Sequence, residues 1–197
     1  MAARDGKPVT RRLHVGFAAA SREVVDDFWR VGVDAGYESD GEPGPRPEYG
    51  GNYYSCFLLD PDGNSAEAVH YSNGLRVDGA VDHLWIRVRD VVASKRFYEL
   101  VAPFGRFGLR HDSAERVVFA ADRGSFSFLI GSPTENIHIA FPADDNARVD
   151  EFHVTLTAAG YRDDGPPGER PIYHPGYYGA YVLDPDGNSV EVVCHNR

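Results

Sequence analysis

The sequence predicts an α+β fold built of three tandem strand–helix–three-strand (βαβββ) units, and three observations predict it. Shifting the chain by 124 residues superimposes 14–70 on 138–194 without a gap, with about half of the positions identical. Both copies end in the same stretch, Leu-Asp-Pro-Asp-Gly-Asn-Ser, at 59–65 and at 183–189. Between them lies a divergent segment with the same succession of alternating and helical patterns. Self-similarity at a fixed period marks a supersecondary unit that buries its apolar face against its neighbours.

Residues 12–18 alternate apolar and small or polar, as a strand does, and Ser21 can cap the helix that follows. Val24, Phe28, Val31 and Ala35 fall on one helical face, and Gly36 supplies the stop. In the second copy Asp144 or Asp145 takes the cap, Val149, Phe152, Leu156 and Ala159 form the stripe, and Gly160 ends it. Gly/Pro-rich loops (41–47 and 165–171) carry one short strand each. The last two strands, near 53–59 and 65–71, are joined by Asp-Pro-Asp-Gly-Asn, which suits a type I turn closed by a left-handed glycine. In the middle segment 82–88 is a strand, Asp90 caps a helix to about Val101, and 117–121 and 125–130 are closing strands around a degenerate turn, Asp122-Arg123-Gly124. The units are therefore 12–71, 80–131 and 135–195, with 72–79 as a linker.

At 197 residues the chain can bury a substantial core. A net charge of −10 leaves no basic stripe to neutralise phosphates, which excludes a nucleic-acid role. The first residues lack the apolar stretch of a secretory signal, and no apolar run reaches membrane-spanning length. Cys56 and Cys194 occupy non-equivalent places in the two copies, so no disulfide framework is expected and a cytoplasmic location fits.

The chemistry follows from strand alternation. His14, His83 and His138 each point away from the face that meets the helix, with Leu13, Val15 and Phe17 opposite the first, Leu84, Ile86 and Val88 opposite the second, and Ile137, Ile139 and Phe141 opposite the third. Glu67 and Glu191 each follow a first-strand His by 53 residues and sit inside apolar strands. A carboxylate buried there costs several kcal/mol unless a cation or donors satisfy it. A divalent metal shared with the His residues is an economical partner.

The duplicated βαβββ unit, the first-strand His and the Leu-Asp-Pro-Asp-Gly-Asn-x-x-Glu ending resemble the vicinal oxygen chelate superfamily. That superfamily includes glyoxalase I, extradiol dioxygenases, fosfomycin-resistance enzymes and bleomycin-resistance proteins. The resemblance implies cup-shaped incomplete barrels formed by pairs of units. It makes 80–197 a complete two-unit domain and 12–71, the repeat of 136–195, a half domain. It implies metal ligands His83, His138 and Glu191, the fourth position falling at or near Phe128, with Ser127 beside it, so that a two-His-one-carboxylate set with open positions remains. Such a set takes Fe²⁺ or Mn²⁺ by preference, with Ni²⁺ or Zn²⁺ as further candidates. His14 and Glu67 make a possible second site.

The loop Arg170-Pro-Ile-Tyr-His-Pro-Gly-Tyr-Tyr178 offers pocket chemistry: Arg170 for an anionic group, His174 and Tyr178 for proton transfer, and Tyr173 and Tyr177 as hydroxyl-bearing rings, with Trp85 on the His83 face. The function so implied is a metal-dependent enzyme acting on a small oxygenated substrate by dioxygenase-, lyase- or isomerase-type chemistry. The alternative is a non-catalytic protein that binds an antibiotic or a metabolite. The orphan unit 12–71 is expected to pair with its counterpart in a second chain, giving a homodimer.

Overall fold

The computed structural model describes residues 8–71, 79–122 and 124–196; Met1 to Lys7, the linker expected at 72–79 (Gly79 apart) and Arg123 of the degenerate turn lie outside them. The elements are β1 Leu13–Ala18, α1 Arg22–Asp34, β2 Glu38–Pro45, β3 Tyr53–Leu59 and β4 Ser65–Tyr71; β5 Val81–Val88, α2 Val91–Gly105, β6 Gly108–Asp112, β7 Arg116–Ala121 and β8 Gly124–Ile130; β9 His138–Pro142, α3 Asn146–Ala158, β10 Asp163–Glu169, β11 Tyr178–Leu183 and β12 Ser189–Cys194. Mixed sheets with few helices make this an α+β fold.

Local chemistry sets the boundaries. Ser21, Asp90 and Asp145 each accept a hydrogen bond from a first-turn N–H, so Asp145 rather than Asp144 is the cap of α3. Helix α2 runs past Val101 and through Pro103, because Phe104 in its last turn is buried in the core. In the first Asp-Pro-Asp-Gly-Asn turn Asp60 Oδ1 accepts from the N–H groups of Asp62 and Asn64, and Gly63 takes φ +80°. The Asn side chain does more than close the turn: Asn64 Oδ1 accepts from Leu13 N at 3.0 Å, and Asn188 Oδ1 accepts from Ile137 N at 3.2 Å. Each turn thus pins the start of the strand that carries a His.

Two sheets result, one of eight strands in the order β2-β3-β4-β1-β5-β8-β7-β6 and one of four, β10-β11-β12-β9. Strand β1 lies parallel to β4, with Gly16 beside Glu67, and antiparallel to β5, with Gly16 beside His83 and His14 beside Trp85. The β1 edge of 12–71 is therefore paired with β5 of the same chain. Strands of 80–131 share a sheet with 12–71, not with 135–195. What 80–131 and 135–195 share is the main apolar core, in which Phe97, Tyr98 and Phe104 meet Phe141, Phe152 and Leu156. Helix α3 buries Val149, Phe152 and Leu156 in that core, whereas α1 leaves Val24 and Val31 exposed. Cys56 and Cys194 are buried free thiols. No helix among the described residues is long and apolar enough to cross a membrane.

Candidate metal centre

The β4–β1–β5 junction brings His14, Glu67 and His83 together. Glu67 Oε2 lies 3.0 Å from His14 Nε2 and 3.1 Å from His83 Nε2, and the two Nε2 atoms are 3.1 Å apart. Glu67 is 1% exposed and His83 is buried, while His14 faces the cavity above them. The far side of each ring fixes its tautomer. Asp82 Oδ2, an acceptor only, lies 2.9 Å from His83 Nδ1, so that nitrogen donates. Ser65 Oγ directs its proton to Asp40 and accepts from His14 Nδ1 at 3.1 Å. Both Nε2 atoms therefore present lone pairs toward the Glu67 oxygen. Three acceptors facing one point repel each other unless a proton or a metal cation lies between them.

Two imidazole nitrogens and a carboxylate oxygen that lie this close could hold a divalent cation together. In the metal-free protein a proton shared among these atoms takes the cation's place: burial works against ionisation of Glu67, yet hydrogen bonds donated from the His14 and His83 side, joined by that from Tyr53, outweigh it and hold the carboxyl at about 2. Tyr53 donates to Glu67 Oε1 at 2.7 Å; burial and the adjacent carboxylate push its phenol far above the usual range, so it remains a donor.

Trp85 stands 4.9 Å from the His14 ring and 5.6 Å from the His83 ring, centroid to centroid. It divides two cavities beside the cluster. One of ≈ 390 Å³ is lined by Arg12, His14, Asp40, Phe57, Trp85 and Arg87. The other, of ≈ 280 Å³, is lined by Tyr53, Tyr71, His83, Trp85, Arg116 and Ser127. A larger cavity of ≈ 820 Å³ between the two Asp-Pro-Asp-Gly-Asn turns reaches His138 but neither Glu67 nor His83, and offers no such convergence of donors.

The structure regroups the residues singled out from the sequence. His83 joins His14 and Glu67, not His138 and Glu191, because β5 pairs with β1. His138 Nε2 lies 2.9 Å from Glu191 Oε2, Tyr177 donates to Glu191 Oε1 at 2.7 Å and Tyr181 bonds the same carboxylate. Among the described residues no third ligand type joins that pair. The fourth ligand position is Ser127, which stands beside Trp85 as Glu67 stands beside Gly16. His174 Nε2 meets His195 Nδ1 at 3.0 Å, and Tyr178 donates to Asp150 of α3 at 2.7 Å, so neither reaches the His14 cluster. Arg170 spends its guanidinium on the carbonyls of Pro166 and Glu169 and lies over the Tyr181 ring, as Arg46 does over Phe57. Tyr173 packs on Tyr177 with ring centroids 4.7 Å apart. Tyr53, Tyr71 and Asp82 were missed; Tyr53 was legible as the repeat partner of Tyr177, whereas nothing in the sequence signalled Asp82 or Tyr71.

Comparison with known proteins agrees with this architecture. The sequence model of the Glyoxalase/Bleomycin resistance protein/Dioxygenase superfamily matches residues 80–192. Crystalline glyoxalase I from Zea mays is similar over 95% of this chain and 69% of its own, with 20% identity and a TM-score of 0.68. A glyoxalase/bleomycin resistance protein from Albidiferax ferrireducens T118 is similar over 57% of this chain and 96% of its own, at 26% identity and a TM-score of 0.49. No curated protein matches.

Proposed function

We propose that this chain, which belongs to the Glyoxalase/Bleomycin resistance protein/Dioxygenase superfamily, is a metal-dependent enzyme acting on a small oxygenated substrate. The observation that carries the reading is the convergence of His14 Nε2, His83 Nε2 and Glu67 Oε2 within 4.8 Å of one another. These three would hold a divalent cation on the sheet that 12–71 and 80–131 share. A two-His-one-carboxylate donor set suits Fe²⁺ or Mn²⁺, with Ni²⁺ or Zn²⁺ as further candidates. When bound, such an ion supplies Lewis-acid stabilisation of charge developing on substrate oxygens.

The protein groups have separable tasks. Tyr53 holds the free oxygen of Glu67, leaving Oε2 to face the imidazoles. Trp85 and Phe57 would form an apolar wall for the body of the substrate, and Arg87 at the cavity rim suits an anionic end, Arg12 being paired with Glu135. The supporting facts are the donor set, its tautomers and the cavities beside it; the superfamily resemblance adds the reaction classes of dioxygenation, lyase chemistry and isomerisation.

Metal analysis of protein purified without chelators tests this. About one Fe, Mn or Ni per chain, lost in Glu67→Gln and retained in Glu191→Gln, is the expected result. Metal that survives Glu67→Gln and disappears in Glu191→Gln would move the site to His138. Absence of metal, with unchanged stability in both variants, would leave a non-catalytic binding protein.

A further inference from the structure

The two imidazoles of the cluster are backed by unequal groups. His14 Nδ1 meets a hydroxyl, Ser65 Oγ, at 3.1 Å, whereas His83 Nδ1 meets a carboxylate, Asp82 Oδ2, at 2.9 Å. Asp82 is 2% exposed, and its Oδ2 also accepts from Tyr71 at 3.2 Å. The residue preceding the first-strand His is Leu13 in one copy and Ile137 in the other, so the acid is peculiar to His83. A carboxylate buried on a strand is expensive unless its neighbours use its charge.

We infer that Asp82 is a positioning residue for metal binding: it fixes His83 as the Nδ1–H tautomer, aims the Nε2 lone pair at Glu67 and His14, and strengthens that nitrogen as a donor. Tyr71 lends the arrangement its direction. It ends β4, the strand that carries Glu67, and its hydroxyl reaches across β1 to Asp82 on β5, so one hydrogen bond ties the carboxylate behind His83 to the strand that bears the third ligand. Gly16 completes the seat, since an added Cβ there would lie 2.3 Å from His83 Cε1. The ring is thus held by a charge behind it and by a space in front of it. His14, with only a neutral partner, is the weaker of the two ligands. The affinity part of the inference rests on the metal reading above; the tautomer part does not.

The experiment uses the full chain and zinc as probe. In metal-free protein, ¹⁵N-edited imidazole spectra should show His83 as the Nδ1–H tautomer, a mixture in Asp82→Ala, and the original tautomer in Asp82→Asn, whose amide oxygen can still accept. Zinc titrated against a chromophoric chelator should bind about tenfold to a hundredfold more weakly in Asp82→Ala, with Asp82→Asn between it and wild type, and Ser65→Ala losing less than either. An unchanged tautomer in Asp82→Ala overturns the inference, as does a folded variant whose affinity falls by less than about threefold. If Asp82→Ala does not fold, Asp82→Asn decides: zinc affinity equal to wild type refutes donor strengthening. If wild-type protein takes up neither zinc nor manganese nor nickel, the metal reading fails, and the tautomer alone judges Asp82.

Discussion

Gly16→Ala gives the sharpest test of the cluster's geometry. The new Cβ would stand 2.3 Å from His83 Cε1, 2.5 Å from Nδ1 and 2.8 Å from Nε2. Carbon atoms in ordinary contact lie at about 3.5–4.0 Å, so the ring must retreat by about 1 Å. It has little room, being buried and hydrogen bonded to Asp82. Forcing a methyl into such a site costs roughly 1–3 kcal/mol. Against this stands a gain of about 0.4–1 kcal/mol, because alanine narrows the unfolded ensemble and Gly16 has no positive φ to protect. The expected net loss in a urea titration lies between about zero and about 2.6 kcal/mol, while the displaced Nε2 leaves the ligand triangle. Metal affinity should fall at least about tenfold, the response known for disturbed ligand support. The repeat-equivalent residue is Ala140, so Ala140→Gly serves as a control that leaves the metal in place. Wild-type metal affinity in Gly16→Ala would show that His83 does not sit in the site as described.

Three further outcomes follow from the same structure. In the metal-free protein Glu67 titrates near 2 rather than 4.5, so the folded state binds fewer protons than the unfolded state between those values; the stability Glu67 contributes is present above pH ~4.5 and is lost as pH falls toward 2, and urea unfolding at a series of acid pH values should show a gentler decline for Glu67→Gln. Tyr178→Phe removes an exposed bond to Asp150 and should cost about 0.5–1 kcal/mol with no change in bound metal; loss of metal would restore Tyr178 to the site. Asn188→Ala strips the acceptor from the buried Ile137 N–H and should cost about 1–3 kcal/mol by thermal unfolding, more than Asn64→Ala, whose surroundings are wetter.

The fold was legible where local chemistry decides it. Ser21, Gly36, the Asp-Pro-Asp-Gly-Asn turns and the first-strand alternation placed their elements within a few residues, since caps, positive-φ glycines and period-2 burial act over short range. The His–Glu spacing also carried over, because β1 and β4 are parallel neighbours in each copy and set His14 beside Ser65 as they set His138 beside Ser189. Which units pair by their edges was not legible. That depends on whether β5 meets β1 or β9, a contact that involves side chains far apart in sequence, among them Gly16, which admits the His83 ring. The family model matches 80–192, whereas His14, Glu67 and His83 converge across 12–88.

The twin His–Glu pairs show how little of a metal centre resides in its motif. His14–Glu67 and His138–Glu191 have the same spacing, near-identical separations of 3.0 and 2.9 Å, and matching tyrosine donors in Tyr53 and Tyr177. Each pair alone is satisfied by hydrogen bonds: one ring nitrogen, one carboxylate and enough hydroxyls to balance burial. A second imidazole changes the sum, since a lone pair arrives with no proton to accompany it, and Asp82 ensures that by claiming the Nδ1 proton. The strand that delivers the second imidazole also delivers Trp85 as a cavity wall. Edge pairing of β1 with β5 therefore converts a structural pair into a candidate site. Strand β9, which has no such neighbour among the described residues, leaves His138 more exposed than His14, with side-chain exposures of 29% and 14%.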